Sequence, residues 1–170
     1  MKKTMKILSL AVLFVVSLGV ILYPLIANYL SEKNRSLIET QYTEAIKQMD
    51  TSALDAARVA ASAYNETLLT VPDALIKAAE SYDTLLNVRE DGLMGYVEIP
   101  AIGVNLPIYH GTEESTLDRG VGHLLGSSLP VGGTGTHCVL TGHSGLAGQK
   151  MFSDLSLLKE GDIFFLRVLG

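Results

Sequence analysis

The 170-residue chain has a single cysteine, Cys138. It can form no internal disulfide and no zinc site built on paired cysteines. Excess positive charge is missing too: 13 basic residues stand against 18 acidic ones. Apart from Lys2, Lys3 and Lys6, the basic residues are scattered. A nucleic-acid interface needs a basic face or stripe, so that class is excluded. Internal repeats, low-complexity tracts and long βαβ units are also lacking.

What is present starts with one apolar run. From Ile7 to Ala27 there are 21 residues without a charge. As a helix this run is about 32 Å long, which matches a hydrocarbon core of roughly 30 Å. A cleaved signal peptide is the competing reading. Its apolar region is typically about 7–15 residues, and no small-x-small cleavage site precedes Asn28, so an uncleaved anchor is favoured. Either way the positive-inside bias keeps the lysines in the cytoplasm and puts everything after Tyr29 outside. The expected layout is a cytoplasmic 1–6, a transmembrane 7–27, an extracellular helical region 28–90 and a β-rich region 91–170.

In the helical region Leu37, Ile38, Tyr42, Ala45, Ile46 and Met49 recur at helical intervals, and Leu54, Ala57, Ala61, Tyr64 and Leu68 continue the pattern. Pro72 interrupts it, and a further helix is expected from about Asp73 to Asn87. After Asp91-Gly92 the period changes to two, with Val97 and Ile99, then Ile102, Val104 and Leu106. Pro100, Gly103 and Pro107 cut this into short strands. His137–Thr141 and Ile163–Leu169 are further strand candidates, with a short helix around Met151–Leu158 between them. Short strands with long loops point to a barrel or sandwich.

Four histidines, His110, His123, His137 and His143, lie in this part at separations of 13, 14 and 6 residues. That spacing forms no compact metal-ligand motif, and no metal or cofactor is expected. Cys138 and His143 invite reading as a nucleophile–base pair, but an extended Thr136–His143 would separate them by about 16–17 Å and put them on opposite faces. A base must come within about 3 Å of the group it serves. Cys138 therefore reads as a small buried hydrophobe, whereas Gly142-His143-Ser144-Gly145 exposes a strand-end histidine.

The blocks GYVEIPAIGVNLPIYHGT, GVGHLLGSSLPVGGTGTHCVLTGHSGL and MFSDLSLLKEGD, in this order behind an apolar helix, resemble the first half of a sortase. IYHGT, GVGHL, GSSLPVGG and LTGHSGL are most similar to the class C, pilin-polymerising branch of these membrane-anchored cysteine transpeptidases. The resemblance implies a closed β-barrel, of which this chain holds the first part. It matches His143 to the catalytic histidine of the TGH motif. It also implies that the nucleophile is a different cysteine, in a TLxTC motif on a later strand, followed by an arginine. Neither motif occurs among the 170 residues, and Arg167 lies too early to take the arginine's role. The chain is thus expected to be an N-terminal piece that is inactive by itself.

The family chemistry has a thiolate attack the Thr–Gly amide of an LPxTG-like sorting signal to form an acyl-enzyme. The histidine protonates the leaving amine and the arginine stabilises the oxyanion. The acceptor would be a pilin lysine or the peptidoglycan precursor lipid II. Class C members commonly carry an Asp-Pro-aromatic lid; the stretch near 70–82, TVPDALIKAAESY, has Pro72-Asp73 in reverse order. A non-catalytic, membrane-anchored binding or scaffold module is the rival reading, and a housekeeping-type sortase the closer one.

Overall fold

A computed structural model describes residues 2–70, 80–145 and 148–170. Its first element, α1 (Lys2–Gln48), is one continuous helix of 47 residues. The apolar run and the first part of the helical region are therefore one rod, about 70 Å long. Pro24 sits inside it; proline removes one backbone donor and crowds the preceding turn, yet the rod continues. Residues such as Ile7, Phe14 and Val20 are more than 60% exposed, and the helix is exposed throughout residues 3–26 among the described residues. That half is long and apolar enough to cross a membrane.

The polar half of α1 lies on the β-rich region. Tyr42 is buried there and donates its hydroxyl to the Met94 carbonyl at 2.9 Å, while the Leu169 amide donates to the same hydroxyl at 3.1 Å. Its ring meets Tyr96 edge-on at 5.7 Å. The second helix, α2 (Thr51–Thr70), contributes Ala61 and Tyr64 to the core. Its Asn65 is 3% exposed and clasps the backbone of Leu129 through both amide atoms, at 3.1 and 2.7 Å. One buried side chain thus holds the GSSLPVGG loop on the helix.

The helix expected over 73–87 can be compared only from Glu80 on, and there its helical geometry ends early. Residues 71–79, which include most of the lid segment, lie outside the described residues. Glu80 and Ser81 are helical and a single 3-10 turn, Tyr82–Thr84, follows. Leu86 then takes a positive φ of 60°, which ends helical geometry before Asn87.

β1 (Leu93–Ile99) and β2 (Val104–His110) form an antiparallel pair in which Val97 faces Leu106 and Ile99 faces Val104. The turn between them, Pro100–Ile102, ends at Gly103 with φ +62°, a left-handed position that suits glycine. A short helix, α3 (Glu114–Leu117), then carries the chain to β3 (Val121–His123), which pairs parallel to β2. β4 (Leu140–Thr141) is antiparallel to β3, and β5 (Phe165–Arg167) is antiparallel to β1. Both are shorter than the strands expected over 137–141 and 163–169. The helix expected over Met151–Leu158 is replaced by turns and one 3-10 segment, Leu155–Leu157; Met151 has φ +41° and turns its side chain into the core.

The five strands run in the order β4-β3-β2-β1-β5. The sheet is open: β4 and β5 are its two edges, and closure into a barrel is not present among the described residues. Ile163 and Phe164, at the start of the β5 edge, are 65% and 62% exposed.

Candidate active site

β4 pairs Thr141 with Gly122 and Leu140 with His123, so the chain leaves the sheet at Gly142 and presents His143 at its rim. Gly142 lets Phe152 pack closely: a Cβ there would lie 3.0 Å from the Phe152 ring, which would have to shift by a few tenths of an ångström. Two bonds fix the loop. The Phe152 amide donates to the His143 carbonyl at 3.1 Å, and the Gly145 amide donates to the Ser153 hydroxyl at 2.9 Å.

The His143 ring points at α3. Its Nε2 is 3.4 Å from a Glu114 carboxylate oxygen and 3.8 Å from one of Asp118. Nε2 itself is shielded from solvent and has no well-formed hydrogen bond, while both carboxylates are exposed. The contacts become ion pairs when the imidazole is protonated. The three side chains offer ligand atoms within 4.8 Å of one another, a grouping that sequence spacing did not suggest. Glu114 and Asp118 precede His143 by 29 and 25 residues. The one usable signal was their i, i+4 separation, which puts two carboxylates on one face of a helical turn.

The other three histidines are placed differently. His123 is fully buried: its Nδ1 is 2.9 Å from the Tyr82 hydroxyl and its Nε2 is 2.9 Å from the Ser128 carbonyl. Burial lowers its pKa, an effect partly offset by the Ser128 carbonyl. Tyr82 is 41 residues away and Ser128 only five, so one bond is tertiary and the other local. His110 sits between the carbonyls of Gly92 and Leu85, 3.0 and 2.8 Å from its ring nitrogens. His137 is exposed, and its amide donates to the Ser128 hydroxyl at 3.0 Å.

Cys138 is half-buried outside any strand, because regular pairing starts only at Leu140. The extended run assumed for Thr136–His143 is therefore mostly loop. The chemical conclusion is supported on other grounds: burial pushes the thiol pKa up to about 11, and it is the thiolate that attacks. Arg167 bonds Glu98 across the β1–β5 pair, Nη2 to carboxylate at 2.6 Å, at the sheet edge opposite β4.

A sortase domain profile matches residues 97–169, whereas no curated protein matches the chain significantly. Solved structures do. Sortase C of Streptococcus pneumoniae is 42% identical with a TM-score of 0.68, over 78% of this chain and 68% of that one. Sortase C1 of Streptococcus agalactiae is 35% identical with a TM-score of 0.71, over 78% and 70%. Sortase C-1 of Actinomyces oris is 43% identical with a TM-score of 0.62, over 70% and 69%. The blocks that carried the sequence resemblance and the strand order that now embeds them converge, and the chain belongs to the sortase family, where it is most like the class C, pilin-related members.

Proposed function

We propose that this chain is the membrane-anchoring and histidine-bearing part of a sortase that cleaves an LPxTG-like signal and passes the acyl group to an amine. The observation that carries the reading is the setting of His143: a ring on a pinned loop at the rim of the sheet, with Nε2 toward two carboxylates. Such a group can hold a proton and deliver it to a leaving amine. The carboxylates orient the ring and compensate its charge while it is protonated. This chemistry also needs a thiolate and an oxyanion-stabilising arginine, and the motifs that supply them in the family do not occur among the 170 residues. Substrates would be pilin or surface-protein sorting signals, with a pilin lysine or lipid II as acceptor. We also assign the exposed apolar half of α1 to the membrane, with the β-rich region on the outer side.

Cys138 does not replace the missing thiolate, so the 170-residue chain is inactive by itself. Incubation with a fluorogenic sorting peptide should give no turnover; turnover lost in His143→Ala would overturn this. The role of His143 is tested in a chimera in which residues 91–170 replace the matching part of the Streptococcus pneumoniae sortase C. Peptide cleavage that survives His143→Ala in the folded chimera would remove the basis for the assignment.

A further inference from the structure

Away from the His143 rim, a cleft of about 260 Å³ opens between α1 and the β1–β2 hairpin, lined by Glu32, Arg35, Glu39, Tyr96, Asn105 and Lys150 among others. Two of its groups lack what they need. Tyr96 is 2% exposed, and its hydroxyl has no hydrogen-bond partner among the described residues. Buried hydroxyls without partners are uncommon. Burial raises this phenol's pKa, so it remains a neutral O–H donor. Arg35 donates through Nη2 to the Gln149 side-chain oxygen at 2.9 Å and to the Met151 sulfur at 3.1 Å, the second a weak acceptor. It forms no ion pair among the described residues, and burial works against its charge, with Glu32 partly offsetting. Lys150, by contrast, is satisfied by the Ile102 carbonyl and Asp154, both at 2.9 Å.

The cleft also holds acceptors. Glu39 uses one oxygen for Asn105 at 2.9 Å, and Glu32 uses one for Asn28 at 3.0 Å; the second oxygen of each is unbonded among the described residues. Glu32, Arg35, Ser36 and Glu39 follow the i, i+3, i+4, i+7 spacing of one helix face. A simple anion would meet two carboxylates here, and a simple cation would meet two basic groups. Only a molecule carrying both signs answers every group.

We propose that this cleft binds a small zwitterion, its oxyanion taking donors from Arg35 and the Tyr96 hydroxyl and its primary ammonium facing Glu39 and Glu32. Phosphoethanolamine is the chemical type. Arg35 lies eight residues beyond Ala27, about 12 Å further along the helix, so the source is either a lipid headgroup or a soluble zwitterion. The headgroup source rests on the membrane reading above; binding itself does not.

The test uses the full chain in a neutral sugar detergent and isothermal titration calorimetry. The probes are O-phosphoethanolamine and dihexanoylphosphatidylethanolamine, and dihexanoylphosphatidylcholine is the control that lacks ammonium N–H groups. Saturable binding is expected for at least one ethanolamine probe. It should weaken about tenfold or more in Tyr96→Phe and in Arg35→Gln, and the choline control should bind weakly. Tyr96→Phe removes a hydroxyl that is unbonded without the probe, so its melting temperature alone should be unchanged or higher. Preference for the lipid over the soluble probe identifies a headgroup, and equal binding identifies a free solute. No saturable binding, or affinity unchanged in both variants, would overturn the proposal. Neither result depends on peptide cleavage, so this site and the transpeptidase reading fail separately.

Discussion

Two histidines lie close to the β3–β4 pair, His123 within β3 and His143 two residues past β4, and end in opposite surroundings. His123 lies in a sealed well where both ring nitrogens have partners and Tyr82 acts as the hub. The Tyr82 hydroxyl contacts His123 Nδ1 at 2.9 Å and its carbonyl at 2.7 Å, and receives the Gly111 amide at 3.1 Å. His143 stands just past the end of the neighbouring strand, its Nε2 turned toward charge and not committed to a hydrogen bond. One ring is consumed by structure; the other is left uncommitted, as the role proposed for it requires. In a chain with four histidines, residue type says little, and the bonds already made by each nitrogen say most.

That contrast can be broken first at His143. In the chimera, His143→Ala should lower kcat/KM by about 10²–10⁴-fold, the usual contribution of a general acid–base, with the melting temperature nearly unchanged. The well should respond in the opposite sense. Tyr82→Phe leaves two partners on His123 and the Gly111 amide unpaired and should cost about 1–3 kcal/mol of stability, read by urea denaturation of the detergent-solubilised chain. A stable Tyr82→Phe would show that the well is not a structural hub.

The well also has a pH signature. Its folded pKa is lowered by burial, so the folded form stays neutral while the unfolded chain takes up a proton below about 6.5. Stability supplied by neutral His123 is present above that value and is lost as pH falls toward the lower folded pKa. The melting temperature should therefore drop between pH 7 and pH 5, and less so in His123→Gln. On the reactive side, replacing Glu114 and Asp118 together by amides should lower kcat/KM less than about tenfold, because exposed pairs are weak, and the effect should shrink as salt rises. Cys138→Ala should be the quietest change, with turnover in the chimera within about twofold of the parent for a half-buried thiol outside the chemistry.

Much of this arrangement could be read from residue order alone. The period-two alternation located β1 and β2, since Val97, Ile99, Val104 and Leu106 are all buried on the paired strands. The TGH context singled out His143. Other features depended on distance in the chain. No local pattern brings Asn65 to Leu129, Tyr82 to His123 or α3 to the His143 ring, because each contact spans tens of residues and is set by packing. Strand ends were also misjudged at β4 and β5, where side-chain bonds from Ser127, Ser128 and Tyr42 take backbone groups that a longer ladder would have used. The length of the first helix was hidden for a different reason: the change from apolar to polar after Ala27 reads as a boundary, yet the helix runs on to Gln48.

That unbroken helix has a mechanical consequence. The Lys150 amide donates to Asn28 at 3.3 Å, and Arg35 reaches Gln149, so the segment just after the His143 loop is fastened to α1 within the first turns beyond its apolar half. A rod without a hinge cannot let the β-rich region swing freely on a tether. Any tilt or axial rotation of the apolar half is delivered to the His143 rim as the same tilt or rotation, which makes the helix a fixed handle that sets the direction from which a partner can approach.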